Sequence, residues 1–404
     1  MRLYVTALKP TDSVTDGFLP AARALGCEIT LLTDRPERHG QAAETPGTEV
    51  LDCDVRDPRA VIDTIAHHHR PDAIFTNSDH IQAETALAAA YFGLPGKDWR
   101  ACASAKNKAL ARRALAEAGV ERVRSVRLAP GQAADPAAVP LPAVVKPREG
   151  VASEDVVLVR DAAELAHAVR EIGARRPGEA LVVEEYLEGP LRTLETLGDG
   201  RTTRVLGGFA TTLGPLPHFV EERLDWRPGP REGEEHVLSA LKALGVGFGA
   251  CHTEYALTAA GPRIIEINYR VIGDHCDFLL ADLLGVPLFE WILRVHLGEP
   301  LAVAEPEPAP AYATALSVVA ERSGTITAAP PPVTPEPGEA VRLWHRPLRA
   351  VGERVEVGHT NRDYLGILRA IGPGPAAVDA ALEAFRAAHP WTIAGAERPA
   401  EAAP

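Results

Sequence analysis

Lysine is scarce in this 404-residue chain. Six are present, at positions 9, 97, 106, 108, 146 and 242, and the other 36 of the 42 basic residues are arginine. Cysteine is scarcer: five, odd in number, scattered at 27, 53, 102, 251 and 276 without C-x-x-C spacing. That pattern excludes a disulfide framework and a structural zinc site, and it fits a reducing cytoplasm. No apolar run reaches the ~18 residues that a membrane span needs, and Met1-Arg2-Leu3-Tyr4-Val5 reads as a short strand instead of a secretory signal. No basic run is present and the formal charge is −13, which argues against nucleic-acid and anionic-membrane partners. A G-x-G-x-x-G turn is also missing. The first strand–helix turn carries Lys9-Pro10-Thr11-Asp12, so the backbone cannot approach a pyrophosphate as a dinucleotide-binding oxidoreductase requires. With 46% hydrophobic and 24% charged residues, the composition is that of a globular protein, and internal repeats are absent.

The pattern that remains is α/β. Strands at Leu3–Ala7, Glu28–Leu32 and Asp72–Phe75 alternate with helices at Val14–Leu25, Asp57–His68 and Ile81–Tyr91. They predict a small parallel sheet over residues 1–100 with right-handed crossovers. Residues 101–190 predict a helix over Ala103–Ala118 stopped by Gly119, then strands at Val123–Leu128, Ala143–Lys146, Val156–Val159 and Leu181–Tyr186, with a helix at Asp161–Ile172. Residues 191–302 predict an Arg204–Ala210 strand, a Gly233–Leu244 helix, a hairpin of Gly249–Thr258 and Arg263–Asn268, and two closing helices. A Pro-rich connector opens a smaller lobe over 303–394, and 395–404 reads as a disordered tail.

Chemistry concentrates on the hairpin, His252 to Asp274. Glu254 on one strand and Glu266 on the other point toward one face, and alternation adds Asn268 and Arg270 to it. Two carboxylates and an amide oxygen are hard ligands suited to Mg²⁺, and the arginine supplies a fixed charge for a phosphoryl or carboxylate oxygen. A buried Glu266 inside Ile264-Ile265-Glu266-Ile267 is not what a merely polar outer face would carry. Lys146 ends the apolar Ala143–Lys146 strand. The loop after it, Glu149-Gly150-Val151-Ala152-Ser153, is placed to close over phosphates. Lys106 and Lys108 lie at the start of the Ala103–Ala118 helix. Val182–Gly189 is an apolar strand running into acidic residues, a shape that offers backbone groups to an adenine edge and Glu184 to its amine. Thr76-Asn77-Ser78-Asp79 follows a strand end, where α/β ligand sites gather.

Taken in order, these pieces resemble the ATP-grasp superfamily over about residues 100–300. Within it, the chain resembles the carboxylate–amine ligases, close to bacterial L-amino-acid ligases. The opening stretch, Leu8–Asp12 through Leu32–Asp34, is similar to ATP-grasp proteins of siderophore gene clusters. The resemblance implies an ATP-grasp fold with an N-terminal Rossmann-like domain and a small C-terminal lobe. It implies ATP with two Mg²⁺ ions, Mn²⁺ being the alternative ion, and a homodimer in the cytoplasm. The substrates would be a small carboxylic acid and an amine or amino acid, joined through an acyl-phosphate in natural-product or siderophore biosynthesis. Lys108, Lys146 and Ser153 would meet ATP phosphates. Glu184, Glu185, Tyr186 and Leu187 would frame adenine, and Glu254, Glu266 and Asn268 would hold the ions. Arg270 and Lys146 would be catalytic.

Two departures stand out. Leu191 occupies the place of a ribose-binding glutamate, with Glu195 as a substitute. The substrate-loop pattern E-x-x-H-x-x-P becomes Glu222–Pro228 with Asp225 in place of His, which favours an amine-bearing group nearby. Glu222, Asp225, His252, Gly273 and His275 are the substrate candidates. The competing readings are carboxylase- or kinase-like ATP-grasp chemistry, and a non-catalytic nucleotide binder.

Overall fold

The computed structural model describes residues 1–227, 231–301 and 311–395. Most of the expected tail therefore lies outside the described residues. The chain forms two compact units, each drawn from three stretches: Met1–Val123, Leu187–Gly208 and Pro228–Pro308 in the first, and Arg124–Tyr186, Phe209–Arg227 and Ala309–Pro404 in the second.

The first unit opens with a parallel sheet in the order Thr48–Asp52, Glu28–Thr33, Arg2–Thr6, Ala73–Phe75. Helices run over Pro58–Ala66, started by the Asp57 side chain, and over Gln82–Tyr91. The predicted Ala103–Ala118 helix is two helices, Trp99–Lys106 and Lys108–Glu117. The break is Asn107, whose extended backbone lets its side chain accept the Leu110 N–H at 3.2 Å. Asparagine does this readily because its short side chain replaces the backbone partner that the first helical turn lacks. Lys106 thus closes one helix and Lys108 opens the next.

The first unit also contains an antiparallel layer. Phe248–Thr258 pairs with Gly261–Asn268 on one side and with Leu191–Asp199 on the other, which in turn pairs with Thr203–Gly207. One face of this layer is apolar. Leu194, Cys251, Tyr255, Ile264 and Ile267 pack there against Ala105, Leu115, Val237 and Leu241 of three helices. The predicted Arg204–Ala210 strand is broken at Gly208, where a Cβ would stand 2.2 Å from the Thr193 carbonyl oxygen.

The second unit contains an antiparallel sheet in the order Ser125–Leu128, Leu181–Glu185, Ala143–Pro147, Val157–Val159. Ala143, Val145, Leu181 and Val183 lay its apolar face on Leu165, Val169 and Ile172 of the Ala162–Arg175 helix. A second sheet runs Phe209–Leu213, Glu221–Trp226, Tyr312–Val319, Tyr364–Gly372, Arg342–Pro347, and the Pro375–Ala388 helix covers one of its faces. Arg354–Val355, Gly324–Ala328 and Thr392–Ala394 form a small third sheet.

Candidate functional site

The hairpin sets the geometry of the first unit. Glu254 lies opposite Glu266, and His252 lies opposite Asn268. The next pair is Tyr255 with Ile264, so Ile265 is an extra residue and the strand bulges there. That bulge explains the odd spacing of the apolar run. Ile264 and Ile267, three residues apart, both reach the core, while Glu266 and Asn268 share the other face.

The bulge is clamped from behind. Arg112 Nη1 donates to the Ile264 carbonyl at 2.6 Å and to Glu121 Oε1 at 3.0 Å. Glu121 Oε2 accepts the Ile264 N–H at 3.0 Å and lies 2.7 Å from His236 Nε2. Arg112 and Glu121 are both buried.

On the polar face, Asn268 Nδ2 donates to Glu254 Oε1 at 3.1 Å, and Lys108 Nζ lies 2.6 Å from Glu266 Oε1. His252 stands between Glu195, at 2.8 Å, and Glu254, at 3.4 Å. Burial alone would lower its pKa, but the two carboxylates outweigh burial and raise it to about 10. Glu254 is held below the usual carboxylate range, because His252 overcomes the effect of burial. Glu195, read from sequence as a substitute for ribose binding, is buried on this face and committed to His252.

The far end of the hairpin is tied to the parallel sheet at the C-terminal ends of its strands. Arg270 Nε donates to Asp79 Oδ2 at 2.8 Å. The pKa of Asp79 is lowered, since Arg270 and Lys106 outweigh its burial. Lys97 Nζ donates to the Tyr269 carbonyl at 2.5 Å and to Gln82 Oε1 at 2.8 Å. Past Gly273, Asp274 and His275 are both left-handed, at φ +52° and +61°. Such a conformation costs of order 1–3 kcal/mol per non-glycine residue. Here it swings His275 Nε2 to 2.7 Å from Asp12 Oδ2 and starts the Cys276–Leu284 helix.

The first unit therefore brings together Lys108, Glu195, His252, Glu254, Glu266, Asn268, Arg270, Gly273 and His275. To these it adds Asp12, and also Asp79, which the sequence places in a stretch where ligands gather but without its partner Arg270. The signal for Asp79 was its place just after a strand end. Asp12 was visible only as part of the first strand–helix turn, with nothing in the sequence to pair it with His275.

In the second unit Lys146 and Glu184 are buried neighbours on one face of the first sheet, with Nζ 2.6 Å from Glu184 Oε2. The backbone N–H groups of Glu185 and Tyr186 donate to the Arg124 and Pro142 carbonyls, so neither is free for an adenine edge. The Glu185 side chain accepts the Arg124 N–H at 2.8 Å. Leu187 begins the next stretch of the first unit. Gly189, at φ +152°, has a structural reason in that unit: a Cβ there would stand 2.1 Å from the Leu257 carbonyl oxygen.

The loop after Lys146, expected from its sequence to close over phosphates, is held at several points. Ala152, Ser153 and Asp155 are left-handed. Asp155 pairs with Arg175 and Arg176, Glu154 with Arg176 and Arg362, and the Ala152 carbonyl accepts the Asn361 N–H at 3.0 Å. Asp225 accepts from Arg223 Nε at 2.7 Å and from the Tyr312 hydroxyl at 2.6 Å, so its carboxylate is committed within the unit. Glu222 sits at a strand irregularity beside Gly214. Pro228 lies outside the described residues.

The donor set on the hairpin fits Mg²⁺. Two carboxylates and an amide oxygen sit together, and a cation, the Lys108 ammonium, already lies against one of them. No group of three or more His, Cys, Asp or Glu side chains among the described residues builds an all-protein metal cage. Mg²⁺ can be held by one or two carboxylates that share the ion with phosphates and water.

No protein-family model matches the chain. It is 32% identical over 322 residues to the uncharacterized protein y4rH of Sinorhizobium fredii, a match covering 75% of this chain and 64% of that protein. Against carnosine synthase 1 of Homo sapiens it is 31% identical over 179 residues, 40% of this chain and 21% of that one. The chain thus spans less than two thirds of the length of either relative. Among solved structures, an L-amino acid ligase from Bacillus licheniformis superposes with a TM-score of 0.79 at 19% identity, covering 98% of this chain and 99% of that one. Phosphoribosylglycinamide synthetase from Anaerococcus prevotii superposes with a TM-score of 0.72 at 15% identity, covering 97% and 99%. Among the described residues no helix is long and apolar enough to cross a membrane.

Proposed function

We propose, for a chain that belongs to the ATP-grasp superfamily, that it is an ATP-dependent carboxylate–amine ligase, forming an amide through an acyl-phosphate and releasing ADP and phosphate. The observation that carries this reading is the polar face of the hairpin, where Glu254, Glu266 and Asn268 stand together with Lys108 against Glu266.

A carboxylate is a poor electrophile. Its oxygen attacks the γ-phosphorus, the bond to ADP breaks, and the amine then attacks the carbonyl carbon and expels phosphate. The protein's share is positioning and charge neutralisation. Glu254, Glu266 and Asn268 would hold two Mg²⁺, or Mn²⁺, which when bound spread the charge of the phosphates. Lys146, oriented by Glu184, offers its ammonium to a phosphate oxygen. Arg270, anchored by Asp79, holds the reacting carboxylate and steadies the developing acyl-phosphate. The loop at 149–153, which follows Lys146, would close over the bound phosphates and exclude water.

We place the substrates among small carboxylic acids and amines or amino acids, in amino-acid-derived natural-product or siderophore assembly. The protein would act in the cytoplasm, where its five free, buried cysteines persist, as a homodimer. The test is release of ADP and phosphate from Mg-ATP with pooled acids and amines, with mass spectrometry of the products. Release that needs one acid and one amine and yields their condensate supports the ligase, and Glu266→Ala abolishes it. Release of AMP and pyrophosphate, or ATP binding with no acid-dependent turnover, refutes it.

A further inference from the structure

Three cations converge on the polar face of the hairpin: Lys106, Lys108 and Arg270. Two have close carboxylate partners. Lys108 Nζ lies 2.6 Å from Glu266, and Arg270 Nε lies 2.8 Å from Asp79. Lys106, the last residue of the Trp99–Lys106 helix, differs. Its Nζ is shielded from solvent and meets no hydrogen-bond partner among the described residues. The carboxylates that act on it most strongly among the described residues are Asp79 and Glu266, which the other two cations already engage, and Lys108 and Arg270 themselves repel it. An ammonium withdrawn from water without a partner costs several kcal/mol. The protein holds this one where an arriving anion would remove that cost.

We propose, building on the ligase reading above, that Lys106 binds the reacting carboxylate of the acid substrate together with Arg270, and so sets the enzyme's affinity for its acid. The place favours a carboxylate over the nucleotide's phosphates. Lys106 lies within electrostatic reach of Asp79 and His80, which follow the Ala73–Phe75 strand. This is the C-terminal end of a parallel sheet, where small ligands enter α/β folds. Asp79, kept ionised by Arg270, repels a polyanionic phosphate chain more strongly than a singly charged carboxylate. Lys106 and Arg270 would hold the carboxylate from two sides while one of its oxygens bonds to the γ-phosphorus and ADP leaves.

The experiment compares the wild-type protein with Lys106→Met and Lys106→Arg. Mg-ATP is the phosphoryl donor, each of the proteinogenic L-amino acids serves in turn as the acid, and hydroxylamine is the acceptor that traps an acyl-phosphate as a hydroxamate. Calorimetric binding of Mg-ATP to each variant reports folding and the nucleotide site separately. Lys106→Met is expected to raise KM for the acid by about 30-fold or more, the loss typical of truncating one member of a buried charge pair. KM and Kd for ATP stay at wild-type values, and Lys106→Arg recovers most of the loss. An unchanged acid KM in Lys106→Met, or a shift in ATP affinity instead, overturns the assignment while the ligase reading stands. A wild-type protein that binds Mg-ATP yet forms no hydroxamate with any acid overturns the ligase reading, and this proposal with it. If Lys106→Met does not fold, Lys106→Gln carries the same KM comparison.

Discussion

Glu121→Gln is expected to be the most damaging conservative substitution outside the polar face. The native carboxylate is buried and receives three donors: Arg112 at 3.0 Å, the Ile264 N–H at 3.0 Å and His236 at 2.7 Å. An amide of the same shape removes the charge but not the volume. Arg112 then loses the carboxylate at 3.0 Å while its Nη1 still faces the Ile264 carbonyl oxygen at 2.6 Å. Breaking a buried pair in this way costs about 3–5 kcal/mol. The effect reaches function, because Arg112 and Glu121 grip both sides of the bulge that turns Glu266 onto the polar face. Equilibrium urea unfolding measures the first consequence, and Mg-ATP turnover below the unfolding range measures the second. The double variant Arg112→Met with Glu121→Gln should recover part of the lost stability, since both members of the Arg112–Glu121 pair are then neutral. A loss below about 1 kcal/mol, the size typical of exposed ion pairs, with turnover intact, would refute the clamp.

Lys146→Met should weaken Mg-ATP binding and lower stability by about 3–5 kcal/mol, because buried Glu184 loses its 2.6 Å cation. Thermal unfolding with and without Mg-ATP checks both, and a stable variant that binds nucleotide normally contradicts the assignment. His252, raised to about 10 by Glu195 and Glu254 against the effect of burial, contributes stability that is fully present below its unfolded pKa of about 6.5. That contribution fades as pH rises toward 10. Its ring resonances should therefore show no midpoint between pH 6 and 8, and a midpoint near 6.5 would rule the pair out. His296 shows the opposite sign. Burial lowers it to about 3, and Phe75 and Phe248 meet its ring edge-on at 5.0 Å. Its neutral form favours the fold fully above about pH 6.5, and that advantage is lost as pH falls toward 3. His296→Leu should accordingly shift acid unfolding to lower pH, and an unchanged acid midpoint would show that the ring is solvated.

The hairpin and its acidic face were legible because strand alternation is a local rule: Glu254, Glu266 and Asn268 occupy positions that a period of two assigns to one side. The bulge was not legible. Ile265 is inserted because Arg112 and Glu121 hold the backbone of Ile264, a contact spanning more than 140 residues that no local pattern records. The break between Lys106 and Lys108 was hidden for a different reason. The apolar spacing continues through it, and only the cap at Asn107 ends the first helix. Glu195 and Asp225 were read from their places along a motif. Their surroundings depend on partners on other strands, His252 for one and Tyr312 for the other. Residues whose role follows from their own element were readable, and those whose role follows from a distant neighbour were not.

The central claim is that a carboxylate is activated by phosphoryl transfer, and the oxygen atom itself reports this. With the turnover-supporting acid labelled with ¹⁸O in its carboxylate, the released phosphate is to be analysed by mass spectrometry. The account predicts one ¹⁸O in each phosphate and ADP as the nucleotide product. Label appearing in AMP, or phosphate released without label, would contradict it.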